Sequence, residues 1–161
     1  MRKNFLLPLL LLIFTYQGKA QLTVNKPTVP AFSLLLTSGK RFNYQDIQKD
    51  KPLVLIYFAP DCDHCRDFTK KLTARIKDFS TAQIIMVSYV PIQPMQQFYK
   101  DLQLQQFPNI KVGTEENKFV VPNHFKIIKF PFTAVYNKSA KLMATFKEEP
   151  SLQALSTLLK K

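Results

Sequence analysis

Residues 53–58, Leu-Val-Leu-Ile-Tyr-Phe, form an unbroken apolar run between Lys51-Pro52 and Ala59-Pro60. A run of this length rich in β-formers predicts a strand buried on both faces, as at the centre of a parallel sheet. The pattern then changes period. Cys65, Phe68, Leu72, Ile76 and Phe79 recur at spacings of 3, 4, 4 and 3, the apolar stripe of an amphipathic helix. Residues 84–90, Ile-Ile-Met-Val-Ser-Tyr-Val, predict a second buried strand. Strand, helix and strand in this order make a βαβ unit with a right-handed crossover.

The remaining segments extend the same layered plan. Met95, Phe98 and Leu102 predict a short helix begun by Pro94, residues 109–112 a short strand, and residues 121–125 a helical turn. Residues 132–136 and 142–146 predict two strands joined across Asn137-Lys-Ser-Ala140 as a hairpin. Ser151 is placed to cap a last helix whose Leu152, Leu155 and Leu159 face inward. Near the start, residues 32–36, the Ser38-Gly39 turn and Arg41-Phe42 predict a further hairpin. The expected architecture is α/β: a central mixed sheet flanked by helices, with an extra N-terminal β-hairpin. With 161 residues and 46% apolar content there is room for one domain with its own core.

The first twenty residues break from this pattern. Met1-Arg2-Lys3 is positive, residues 5–14 are apolar apart from Pro8, and Gly18-Lys19-Ala20 offers small residues at a cleavage site. The apolar run is half the length of about 20 residues needed to span a bilayer. We therefore expect residues 1–20 to be a signal peptide cleaved near Ala20. Residues 21–29 are then a lead-in segment, and 30–161 the folded domain. Loss of Arg2, Lys3 and Lys19 lowers the formal net charge from +12 to 12 − 3 = +9. A basic surface attracts anions, but the lysines are scattered and an exported protein has little access to nucleic acid. The charge is read as solubility, with at most loose contact with a membrane surface.

Composition narrows the chemistry. Only 3 glycines occur, too far apart to draw a dinucleotide- or phosphate-binding loop through them. Only 2 cysteines occur, in Cys62-Asp-His-Cys65. As a staple such a pair is poor, because so short a loop removes little chain entropy. As a redox pair it is well placed. C-x-x-C beside a βαβ pattern reads as a thioredoxin-like motif. Cys62 sits where strand turns into helix, so unpaired N–H groups and the helix dipole favour its thiolate. Cys65 lies on the same face and belongs to the buried stripe. His64, when protonated, and Arg66 favour the thiolate, and Asp61 and Asp63 oppose it.

The pair admits other readings. Tetrahedral zinc wants four ligands, and no second C-x-x-C or H-x-x-H exists. A Cu(I) site using Cys62, Cys65 and His124 remains open, since thiolates suit that ion. A peroxidase needs an activating Thr or Ser near its cysteine, whereas Ala59, Pro60 and Asp61 stand there. A binding module with a vestigial redox site is a third possibility.

The pattern of motifs resembles a known family along nearly the whole of residues 21–161. Pro30-Ala-Phe-Ser-Leu34 with Ser38-Gly-Lys40 looks like the N-terminal hairpin of TlpA/ResA-like bacterial periplasmic thiol–disulfide oxidoreductases, which carry a redoxin or AhpC/TSA-type domain of the thioredoxin-like superfamily. Residues 53–60 with Cys62 and Cys65 resemble the core strand and active site. Phe130-Pro131 and the segment after it resemble the family's cis-proline, strand, turn and strand.

The resemblance implies thiol–disulfide exchange with protein substrates. Cys62, Cys65 and His64 would form the catalytic group, and Phe130 and Pro131 one wall of the substrate site. It implies no resident cofactor or metal, an unidentified electron donor or acceptor, a monomer and a periplasmic location. Two departures stand out: Asp61 precedes the first cysteine, where many members have Trp, and Ile56 occupies the place of the buried acid that often serves the second thiol. A His before the second cysteine resembles the oxidising members and the hairpin the reducing ones, so the direction of electron flow is open.

Overall fold

The computed structural model describes residues 28–160. The expected signal peptide and most of the lead-in therefore lie outside the described residues. The described residues form a seven-stranded mixed sheet and four α-helices. In chain order these are β1 (Ser33–Leu36), β2 (Arg41–Asn43), β3 (Leu53–Tyr57), α1 (Asp63–Ala74), β4 (Gln83–Ser88), α2 (Ile92–Asp101), β5 (Ile110–Thr114), α3 (Val120–Phe125), β6 (Phe132–Tyr136), β7 (Leu142–Phe146) and α4 (Leu152–Leu159). The strand order is β2-β1-β5-β4-β3-β6-β7. β3, β4 and β5 run parallel, while β6 and β7 on one side and β1 and β2 on the other are antiparallel additions. This is a thioredoxin-like sheet with an N-terminal hairpin joined to its β5 edge.

The two parallel crossovers explain the layering. β3 to β4 and β4 to β5 step the same way across the sheet, so right-handed connections put α1 and α2 on one face. Val54 and Ile56 of β3 point into that layer, against Phe68 and Leu72 of α1, Met95 and Phe98 of α2, and Leu155 of α4. Leu53, Leu55 and Tyr57 point to the opposite face, against Phe32, Phe42 and Val121. All five residues of β3 are buried, as an unbroken apolar run requires when both faces are covered.

Several boundaries differ from the sequence expectation. The apolar stripe through Phe79 is not one helix. Arg75 leaves helical geometry at φ −114, ψ 25, and Ile76–Phe79 follow as a 3₁₀ turn. There the Arg75 side chain donates to Asp78 at 2.8 Å, and Phe79 stays fully buried. α2 begins at Ile92, with Pro91 as its cap, and Pro94 sits inside the first turn. Proline is tolerated there because first-turn N–H groups have no intrahelical partner. β4 ends at Ser88 and β5 continues to Thr114. In β5, a Cβ at Gly113 would come within 2.9 Å of the Leu35 carbonyl, so glycine lets β1 approach. No helix among the described residues is long and apolar enough to cross a membrane.

Candidate redox site

The site lies at the C-terminal end of β3, where the chain leaves the parallel core of the sheet, the usual place for function in such folds. The chain turns through Ala59 to Asp61 and enters α1. Cys62 is the N-cap of α1, with extended backbone, and its N–H donates to the Ala59 carbonyl at 3.2 Å. Its Sγ accepts the backbone N–H of Cys65 at 3.4 Å. A sulfur in this position receives one of the N–H groups that a helix start leaves without a partner. Cys62 is half-buried, whereas Cys65 is 1% exposed within the α1 layer of the core. Both cysteines are free thiols in this structure.

Burial, followed by the hydrogen bond from the Cys62 side chain, pushes the Cys65 thiol up to about 12. The charge of Asp61 adds to that rise, and the backbone at Ala59 works against it. Asp61, Asp63 and His64 are exposed. The Arg66 guanidinium donates to the Pro60 carbonyl at 3.3 Å and to Asp101 at 3.2 Å and lies over the Phe98 ring.

His64 shares a cavity of about 390 Å³ with Phe130 and Pro131. The Phe130–Pro131 peptide bond is cis and Pro131 is buried. Phe130 packs against Tyr57 and Tyr89, with ring centroids at 5.7 and 6.2 Å. The structure thus brings together His64, Phe130 and Pro131, which are more than sixty residues apart in the chain. His124 is not brought to the cysteines: it is exposed on α3, edge-on to Phe125. Among the described residues no group of three or more His, Cys, Asp or Glu side chains is arranged to hold a metal ion. The Cys62–Cys65–His124 copper site is therefore not assembled.

Some residues of this end of the sheet carried no signal in the sequence. Lys129, Glu148 and Glu149 line the same cavity as His64, although the two acids lie in a connection between β7 and α4 with no motif. Glu115, directly after β5, is wholly buried. Burial holds its carboxyl above the usual carboxylate range, opposed by the Val121 N–H that donates to it at 3.1 Å and by the nearby Tyr57 hydroxyl. Thr-Glu-Glu-Asn reads as a surface turn, so only the fold reveals a buried acid there.

Comparison with known proteins agrees with this architecture. A secreted disulfide oxidoreductase of Mycobacterium tuberculosis, homologous to E. coli DsbE, superposes with a TM-score of 0.66 at 17% identity, over 81% of this chain and 95% of that one. A thiol–disulfide oxidoreductase of Bacteroides fragilis gives 0.67 at 16% identity, over 83% and 97%. Copper-bound ScoI of Arabidopsis thaliana gives 0.65 at 17%, over 83% and 96%. These likenesses share the fold. No curated protein matches the sequence. Residues 26–151 match the AhpC/TSA family, so the chain belongs to that family and is a thioredoxin-like oxidoreductase.

Proposed function

We propose that this chain exchanges disulfides with protein thiols through Cys62 and Cys65. The observation that carries the reading is the asymmetry of the pair: Cys62 is half-buried at the N-cap of α1, and Cys65 is 1% exposed one turn behind it. In the reducing direction, the Cys62 thiolate attacks one sulfur of a substrate disulfide. The substrate S–S bond breaks, its other sulfur leaves as a thiolate that takes up a proton, and a mixed disulfide forms. Cys65 then loses its proton and attacks the Cys62 sulfur. The second substrate thiol is released, two electrons have passed to the substrate, and the pair is left as a disulfide for a donor dithiol to reduce. Every step also runs in reverse, which is oxidation of a substrate.

Phe130 and Pro131 serve in this reading as the wall against which an extended substrate lies, supported by the cavity they share with His64. His64, when protonated, serves in this reading as a positive neighbour of the Cys62 thiolate. Export to the periplasm, with cleavage near Ala20, is supported by the pattern of the first twenty residues and by the secreted relative of the same fold. The sequence pattern resembles that of TlpA/ResA-like thiol–disulfide oxidoreductases, and in this reading the chain acts as a monomer.

Reduction of a disulfide-bonded protein by the chain in the presence of dithiothreitol, with metal content measured on the same sample, tests the reading. Catalysed reduction that disappears in Cys62→Ser supports it. Copper retained in stoichiometric amount without catalysed reduction would replace it with the metal-binding reading.

A further inference from the structure

A second concavity adjoins the one that holds His64 and Pro131. It measures about 220 Å³, and Phe125, Ile127, Ile128 and Phe132 give it an apolar lining. Lys129 and Glu148 line both concavities. The lining is built by the end of α3. Lys126 stops the helix in left-handed geometry at φ 53, ψ 50, and the Ile127 N–H donates back to the Pro122 carbonyl at 3.0 Å. Ile128 is then turned outward and is 88% exposed. Single exposed apolar residues are common, but this one stands at the mouth of an apolar hollow beside the redox site. The rim is basic. Lys126 and Lys147 have no carboxylate partner among the described residues, and Lys129 pairs with Glu148 at 3.2 Å in the open.

Resting on the exchange reading above, we infer that this hollow is a substrate subsite. It takes a large apolar side chain of an extended polypeptide whose neighbouring residues are acidic. A chain lying along Phe130 and Pro131 with its cysteine at Cys62 runs on past Lys129 into the hollow. The apolar side chain fills it roughly two to four residues from the substrate cysteine, at about 3.3 Å per residue. Burial against Phe125, Ile128 and Phe132 holds that side chain, and Lys126 and Lys147 meet the acidic neighbours. Charge complementarity of this kind selects among partners more than it adds raw affinity.

The test uses peptides with one cysteine capped as its glutathione disulfide and reduced by the whole chain. One peptide carries Phe flanked by Glu about three residues from the cysteine, a second Ser and Gln at those positions, a third Phe and Lys. The wild type should reduce the Phe–Glu peptide about tenfold faster than the Ser–Gln peptide, a difference of about 1.4 kcal/mol. Ile128→Glu should bring that ratio to within about twofold. The double variant Lys126→Glu/Lys147→Glu should turn the preference toward the Phe–Lys peptide, a gain that misfolding cannot imitate. Equal rates with all three peptides in the wild type, or a preference unchanged in both variants, overturn the inference. Oxidised glutathione separates the two levels of the argument: a wild type that reduces it but does not discriminate among peptides has lost the subsite alone, and one that reduces nothing has lost the exchange reading. Binding to phosphatidylglycerol vesicles that Ile128→Glu abolishes, with flat peptide rates, makes the surface a membrane contact and overturns the inference as well.

Discussion

The backbone N–H of Cys65 points at the Sγ of Cys62, 3.4 Å away. In the proposed exchange, Cys65 thus supplies, through its own main chain, a donor to the sulfur it would attack. The first turn of α1 performs both tasks because a helix start has N–H groups without partners. The same turn separates the two sulfurs by depth, one at the surface and one in the core. The proposed roles of the pair rest on this asymmetry.

Cys62→Ser should abolish exchange, and Cys65→Ser should accumulate mixed disulfides with substrate. Non-reducing electrophoresis after acid quenching reads both. Trapping by Cys62→Ser with none by Cys65→Ser would show that the roles are reversed.

The raised Cys65 thiol makes the reduced protein sensitive to alkali. A group whose pKa is raised on folding stabilises the protein fully below its unfolded value, and that stability is lost as pH rises toward the folded value. Here the window runs from the ordinary 9.0 to about 12. At pH 10 the loss from this group alone is on the order of 1 kcal/mol, since the folded chain keeps nearly one proton that the unfolded chain has released. Urea unfolding of the reduced wild type and of Cys65→Ala at pH 7 and 10 checks it: the wild type should lose the larger share. Equal losses would mean the thiol titrates normally.

Gly113→Ala should destabilise the fold by about 1–3 kcal/mol, as overpacking does. The added Cβ meets a backbone oxygen, the Leu35 carbonyl at 2.9 Å, and the Leu34 Cβ at 3.2 Å, neither of which is a flexible side-chain end. Hydrogen exchange should show the β1–β5 pairing loosened first, before β3 and β4. An unaltered denaturation midpoint would show that the N-terminal hairpin shifts freely.

His64→Ala should make the cysteine pair more reducing. His64 favours the thiolate, hence the dithiol form, only when protonated, by about 0.3–1 kcal/mol at an exposed helix start. For a two-electron couple that is a shift of about 5–20 mV to more negative potential. Equilibration in glutathione buffers of known ratio measures it, and a shift to more positive potential would remove His64 from the role assigned.

Much of this protein was legible in its sequence because the relevant physics is local. The unbroken run through Ile56 demands burial on both faces. The stripe through Cys65 and Phe68 demands a helix packed on one side, and Ser151 caps the last helix by accepting the Ala154 N–H at 3.1 Å, as its side chain allows. The hairpin across Asn137 follows from residues that are close in the chain. A cysteine pair spaced by one helical turn at the end of a buried strand carries its chemistry in that spacing.

What only the tertiary structure decided depends on residues distant in sequence. The break of the stripe at Arg75 is set by how Phe79 must meet the core, and no periodicity records that. The burial of Glu115 follows from α3 folding over the end of β5, although its neighbours are polar. The distance of His124 from the cysteines, and the meeting of His64 with Pro131, Lys129 and Glu148, depend on β6 lying beside β3. Pairing between strands is long-range, and a sequence specifies which faces must be buried more clearly than it specifies what comes to lie against the edge of a site.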